Sequence, residues 1–127
     1  MAGGMFTEMV ADFNRKRIST EKEYSPVELL RQKAKILREN GFSVLEGVKG
    51  TVYALDPSFD EFESIGKVMD GFERVPGLIL NLERWYVLHQ DGTIVDLRKT
   101  FAERRTMTHN PHVQQDLVKM RQEYGFE

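Results

Sequence analysis

Phe6, Met9, Val10 and Phe13 recur at i, i+3, i+4 and i+7, the spacing of one helical face, so a short amphipathic helix with an apolar side to cover is expected at the start of the chain. The polar stretch from Asn14 to Glu23 follows, with Arg15, Lys16 and Arg17 and only Ile18 as an apolar anchor, and suits a linker. The chain then divides into an N-terminal helix and linker over residues 1–23 and a core domain over 24–127. Within the core, Ser25, Pro26 and Glu28 have the pattern of a helix start. Leu29, Leu30, Ala34, Ile36 and Leu37 supply its buried stripe, and Gly41 can close it in the left-handed conformation.

Phe42 to Glu46 and Thr51 to Leu55 are β-prone runs flanking Gly47-Val48-Lys49-Gly50, which predicts a hairpin. Ser58 and Glu61 repeat the capping spacing ahead of a third helix carrying Phe59, Phe62, Ile65, Met69 and Phe72 and ending near Gly71. After the Val75-Pro76-Gly77 turn, Leu78 to Leu82, Arg84 to Gln90 and Thr93 to Arg98 read as strands, the last two joined by Asp91-Gly92. A two-residue turn there sets His89 opposite Ile94, Val87 opposite Asp96 and Trp85 opposite Arg98. Phe101 to Thr108 has no period, and a last helix is expected from Asn110-Pro111 to Gly125. The order α-α-β-β-α-β-β-β-α, with mostly hairpin connections, predicts a single α+β domain: an antiparallel sheet of about five strands packed by about four helices.

Composition narrows this reading in a few places. With 127 residues, 40% apolar and 30% charged, the chain has material for one real core and lies outside the disordered regime. A net charge of −2 creates no global attraction to nucleic acid or anionic lipid, so such binding would need a local patch. The absence of cysteine removes disulfides, thiolate metal sites and cysteine nucleophiles, and suits a reducing, cytoplasmic compartment. No apolar run reaches the length of a membrane span and no export signal opens the chain, so a soluble intracellular protein is the expectation.

Candidate chemistry concentrates in the expected hairpin. Its register puts Tyr86, Leu88, Val95 and Leu97 on the core side, and Trp85, Val87, His89, Ile94, Asp96 and Arg98 together on the other. That second face suits an interface, where Trp and Arg dominate, or a planar anionic ligand. Read as structure alone, the same residues are a second core layer with an edge ion pair. A basic tract, Arg98, Lys99, Arg104 and Arg105 with Phe101 between, could contact a nucleic-acid backbone or a phosphorylated molecule, although no nucleic-acid-binding motif accompanies it. His109 and His112 lack a third ligand at fixed spacing, so no metal and no cofactor is expected. Phosphate-loop, dinucleotide, zinc-protease and serine-hydrolase motifs are all missing.

Three functional readings follow. The leading one is a non-enzymatic binding or regulatory module acting through protein contacts and self-association, with Phe6, Met9, Val10 and Phe13 as further oligomer contacts. The second is a binder of nucleic acid or a small anionic ligand through Trp85, Arg98, Arg104 and Arg105. The third is a small enzyme using His89, Asp96 and Arg98.

Overall fold

The computed structural model describes residues 6–45, 51–103 and 111–126, and its first regular element is a strand where a helix was expected. β1 (Glu8–Phe13) buries Met9, Ala11 and Phe13 on one side and leaves Glu8, Val10 and Asp12 half-buried on the other. A six-residue run with apolar groups on both faces satisfies helical and alternating spacing together, and only its neighbours decide between them. Those neighbours are β3 (Val52–Leu55) and β4 (Leu82–Leu88), both antiparallel to it. The segment expected to stand apart from the core thus supplies its central strand.

The stretch read as a linker is tied down. It contains α1 (Arg15–Ser19), whose Arg17 N–H donates to Asn14 Oδ1 at 2.8 Å, and Glu21, which accepts from Asn81 Nδ2 at 2.9 Å. α2 (Pro26–Glu39) begins at the expected cap, with Glu28 N–H donating to Ser25 Oγ at 3.3 Å. Glu28 turns outward, where hydrogen bonds from Arg31 and Gln32 hold its carboxyl down at about 2. The helix ends at Gly41, whose φ of +87° a side chain would not tolerate, because a Cβ would also strike the Phe59 ring.

β2 (Phe42–Val44) pairs with β3 as expected, while the loop at 46–50 lies outside the described residues. α3 (Glu61–Glu73) is capped by Asp60, not Ser58: Glu63 N–H reaches Asp60 Oδ1 at 3.0 Å, and Ser58 is held by Asp56. Residues 78–81, expected as a strand, form the single turn α4 (Leu78–Asn81) with every side chain buried. Gly77 starts that turn at φ +84°, fixed by its N–H on the buried Asp116 Oδ2 at 2.6 Å. The strand expected through Arg98 stops early, as β5 (Ile94–Asp96). Asp96 Oδ1 accepts from Lys99 N–H at 3.0 Å and so starts α5 (Leu97–Glu103), which replaces the strand end and part of the expected loop. α6 (Pro111–Glu123) ends as expected, with Phe126 N–H folding back on Arg121 carbonyl at 2.7 Å beyond Gly125.

The domain is α+β, with one five-stranded antiparallel sheet in the order β2-β3-β1-β4-β5. Six helices are described instead of four, the additional ones being α1, α4 and α5 in place of the mistaken first helix. Two crossovers interlock: β1 reaches β2 through α1 and α2 with β3 between, and β3 reaches β4 through α3 and α4 with β1 between. The two crossovers start from oppositely directed strands and move across the sheet in opposite senses, so a common right hand places both on one face. Burial agrees with that placement. Met9, Ala11, Phe13, Tyr53, Leu55, Trp85 and Val87 are buried beneath Leu29 and Leu37 of α2, Ile65, Val68 and Phe72 of α3, and Val113, Leu117 and Met120 of α6.

Burial raises the Asp116 carboxyl above the ordinary range, and its Oδ1 has no hydrogen-bond partner among the described residues. An acid raised on folding stabilises the protein below its unfolded pKa, and that contribution is lost as pH rises through the folded value. Asp116→Asn keeps an oxygen for Gly77 N–H and removes the titration. Its unfolding free energy relative to wild type is therefore expected to grow as pH rises from 4 to 7, measured by urea titration. A difference that is flat or declining over that interval would show that Asp116 is not raised.

Candidate functional site

The β4–β5 hairpin forms with a different register from the one expected. Tyr86 faces Asp96, Val87 faces Val95 and Leu88 faces Ile94, so the loop has three residues, Gln90 to Gly92, and not two. His89 N–H donates to Thr93 carbonyl at 2.8 Å, Gly92 N–H to His89 carbonyl at 3.0 Å, and Gly92 takes φ +90°. One extra loop residue shifts the pairing by one position and exchanges the faces of β5 relative to β4.

The residues expected to share a face are consequently separated. Trp85 (1% exposed) and Val87 lie in the core, the indole 5.2 Å from the Phe72 ring. These two belong to the helix-covered core itself and not to a second layer beneath a first helix, and Tyr86 and Leu88, expected on the core side, lie on the opposite face. Ile94 is 64% exposed, and Asp96 is spent on starting α5. Arg98 is not on the sheet: it is buried on α5, its guanidinium donating to the carbonyls of Ile79 and Leu80, the Tyr124 hydroxyl and Glu123. His89 lies at the end of β4, with Nδ1 against Glu61 Oε1 and the ring 6.0 Å from that of Phe62. His89, Asp96 and Arg98 therefore do not converge. Arg104, Arg105 and His109 lie outside the described residues. Of the expected oligomer contacts, Met9 and Phe13 are core, whereas Phe6 is exposed and Val10 half-buried.

The contiguous surface that remains is the sheet face opposite the helices. Across it run two rows of paired residues: Val52, Val10, Tyr86 and Asp96, and beside them Ala54, Glu8, Leu88 and Ile94. Beyond the first row, Asp12 and Arg84 are direct cross-strand partners joined at 2.5 Å. No described helix covers these residues, which are all half-buried or exposed, yet Val10, Val52, Tyr86, Leu88 and Ile94 form a joined apolar strip. Asp96 closes the first row, Glu8 stands in the second between Ala54 and Leu88, and the Asp12–Arg84 pair lies beyond the first row. The sequence put Tyr86 and Leu88 on the core side because a two-residue turn groups them with Val95 and Leu97, and Val52 and Arg84 were not foreseen because residues 6–13 read as a helix and hid the ladders of β1. The Asp-Gly pair is equally the end of a three-residue loop with glycine in the left-handed position.

Among the described residues, no cluster of three or more His, Asp or Glu side chains could hold a metal ion, and no helix is long and apolar enough to cross a membrane. Compared with known proteins, the chain matches no family model, no curated protein and no solved structure.

Two substitutions test these placements by urea unfolding. Trp85→Ala is expected to cost about 3–5 kcal/mol as a core truncation. Arg98→Met is expected to cost about 2–4 kcal/mol, because it strips donors from buried carbonyls and leaves Glu123 without this partner. Wild-type stability in both variants would put the indole and the guanidinium on the surface.

Proposed function

We propose that this protein is a non-enzymatic binding module that self-associates by packing the open faces of two sheets against each other. The observation that carries this reading is the apolar strip of Val10, Val52, Tyr86, Leu88 and Ile94 on a face no described helix covers. A sheet face with so many apolar positions is costly to leave in water, and face-to-face packing about 10 Å apart is the usual way to bury one.

The occupant is a second copy, because a two-fold contact lays the apolar strip of one sheet on the identical strip of the other. A two-fold axis in the interface plane, running across the strands, brings the Glu8 end of one sheet over the Arg84 end of the other. The strand spacing and the length of β1 make the face roughly 24 by 20 Å, on the order of 500 Å² per copy. That is below the roughly 800 Å² per partner of a standard interface, so the assembly is a reversible dimer and not an obligate one. The dispersal of His89, Asp96 and Arg98 removes the three-residue set on which the enzymatic reading relied.

Light scattering over a concentration series tests the proposal. The wild-type chain is expected to pass from monomer to dimer in the micromolar range, and Val10→Lys or Leu88→Lys to remain monomeric with a thermal midpoint close to wild type. A wild-type chain that stays monomeric at every concentration, or variants that dimerise undiminished, would refute it. Trp85→Ala is unsuitable here, because it would report loss of the core.

A further inference from the structure

β2 is an outer strand of the sheet and pairs only with β3. Asp56 N–H donates to Gly41 carbonyl at 2.8 Å and Leu45 N–H to Val52 carbonyl at 3.0 Å, so Gly41, Ser43 and Leu45 turn their peptide groups toward β3. By the same alternation Phe42 and Val44 turn theirs outward. Among the described residues, nothing bonds to these two N–H and two carbonyl groups. The opposite outer strand is blunted, because β5 runs directly into α5 and the Asp96 carbonyl accepts from the Thr100 hydroxyl at 2.8 Å. β2 has neither a charge nor a proline in its Phe-Ser-Val sequence to protect its edge.

Beside the free edge, on the helix side, lies a hollow of about 280 Å³ lined by Ala34 and Arg38 of α2 and by Phe42, Ser43, Val44 and Tyr53. It shares Ala34, Val44 and Tyr53 with a larger cleft of about 430 Å³. Val44 is 52% exposed. Arg38 is exposed and has no ion pair among the described residues, while Glu39, next in sequence, borders the groove between α2 and α3. No carboxylate lines the hollow, so Arg38 leaves it positive.

We propose that β2 binds an extended peptide of another protein as a sixth, antiparallel strand, with an apolar residue opposite Val44 and an acidic residue two positions later, opposite Phe42. Four main-chain hydrogen bonds to Phe42 and Val44 attach it, as in other cases of strand addition to a sheet edge. Side chains at those two positions point to the helix side, so the apolar one packs on Ala34, Val44 and Tyr53 and the carboxylate meets Arg38. Ile94 and Asp96 of a second copy have this spacing, but Asp96 is engaged by Lys99 N–H and Thr100 in starting α5. The edge lies outside the apolar strip of the open face, so this proposal and the dimer stand or fall separately.

Titration of the full chain with the peptide acetyl-Thr-Val-Thr-Glu-Thr-amide, followed by calorimetry and amide NMR, tests this. The peptide is expected to shift the amide signals of Phe42 and Val44 and, at low salt, to bind about fivefold more tightly than its counterpart with Gln for Glu. N-methylation of the Val and Glu nitrogens, which face β2, is expected to weaken binding about tenfold, whereas N-methylation of the central Thr, which faces away, leaves it unchanged. Arg38→Gln is expected to remove the preference for Glu over Gln. Val44→Pro deletes an outward N–H, leaves the Ser43 ladder bonds in place, and is expected to abolish binding of both peptides. No binding of the Glu peptide, equal binding of the two, undiminished affinity after N-methylation at Val and Glu, or shifts confined to Val10, Val52 and Leu88 would overturn the proposal. Concentration-dependent shifts of Phe42 and Val44 in the chain alone would overturn it as well, by making a second copy the occupant.

Discussion

β1 is bonded on both edges to strands far away in the chain, to β3 some forty residues on and to β4 some seventy-five, and every other layer is positioned by those two ladders. Met9 meets Tyr53 on one side and Val87 on the other, and Ala11 meets Trp85, so the floor of the core is laid where β1 enters. Until it does so, β2–β3 and β4–β5 are two separate hairpins, each too small to be stable alone. The sheet forms only through contacts that are distant in sequence, and such contacts make folding slow for a chain of this size.

Above that floor, α4 acts as the fastening point. The carbonyl of Leu80 accepts from both Arg17 at 2.5 Å and Arg98 at 3.0 Å, and the Glu123 carboxylate accepts from both guanidinium groups as well. One short turn thus joins α1, α5 and α6. Its start is locked from the same direction, since Asp116 on α6 accepts from Gly77 and a Cβ at Gly77 would meet the Tyr24 ring. Arg17, read in the sequence as part of a linker, and Arg98, read as a candidate binding residue, both satisfy carbonyls of α4, so the Arg98 guanidinium is engaged inside the fold.

The same topology explains the two surfaces assigned a role. Both crossovers lie on one side, so the other side of the sheet keeps its apolar strip without a covering layer. The edge pair β2–β3 is short, and Val44 at its end stays about half exposed beside a cleft of about 430 Å³. The open face and that cleft lie on opposite sides of β1, and Asp12 meets Arg84 on the open face while bordering the cleft.

Local signals in the sequence were enough for α2, α6, the β2–β3 pairing and the α+β class, because capping residues, left-handed glycines and long amphipathic stripes act within a few residues of where they stand. They were not enough where the deciding partner is remote. Residues 6–13 fit a helix and a strand equally well, and the ladders with β3 and β4 chose the strand. Leu78 to Asn81, buried on all sides, has no polar face to reveal its period, and Asp116 and Asn81 set the turn. In the last hairpin the ladder with β1 decided that Trp85 and Val87 point into the core and Tyr86 and Leu88 outward, and a single extra loop residue decided which side chains of β5 join each face. Composition and short-range chemistry determined the class and the elements of this protein, and tertiary pairing decided which face of each strand meets solvent, because strand side chains alternate and one residue of register reverses them all.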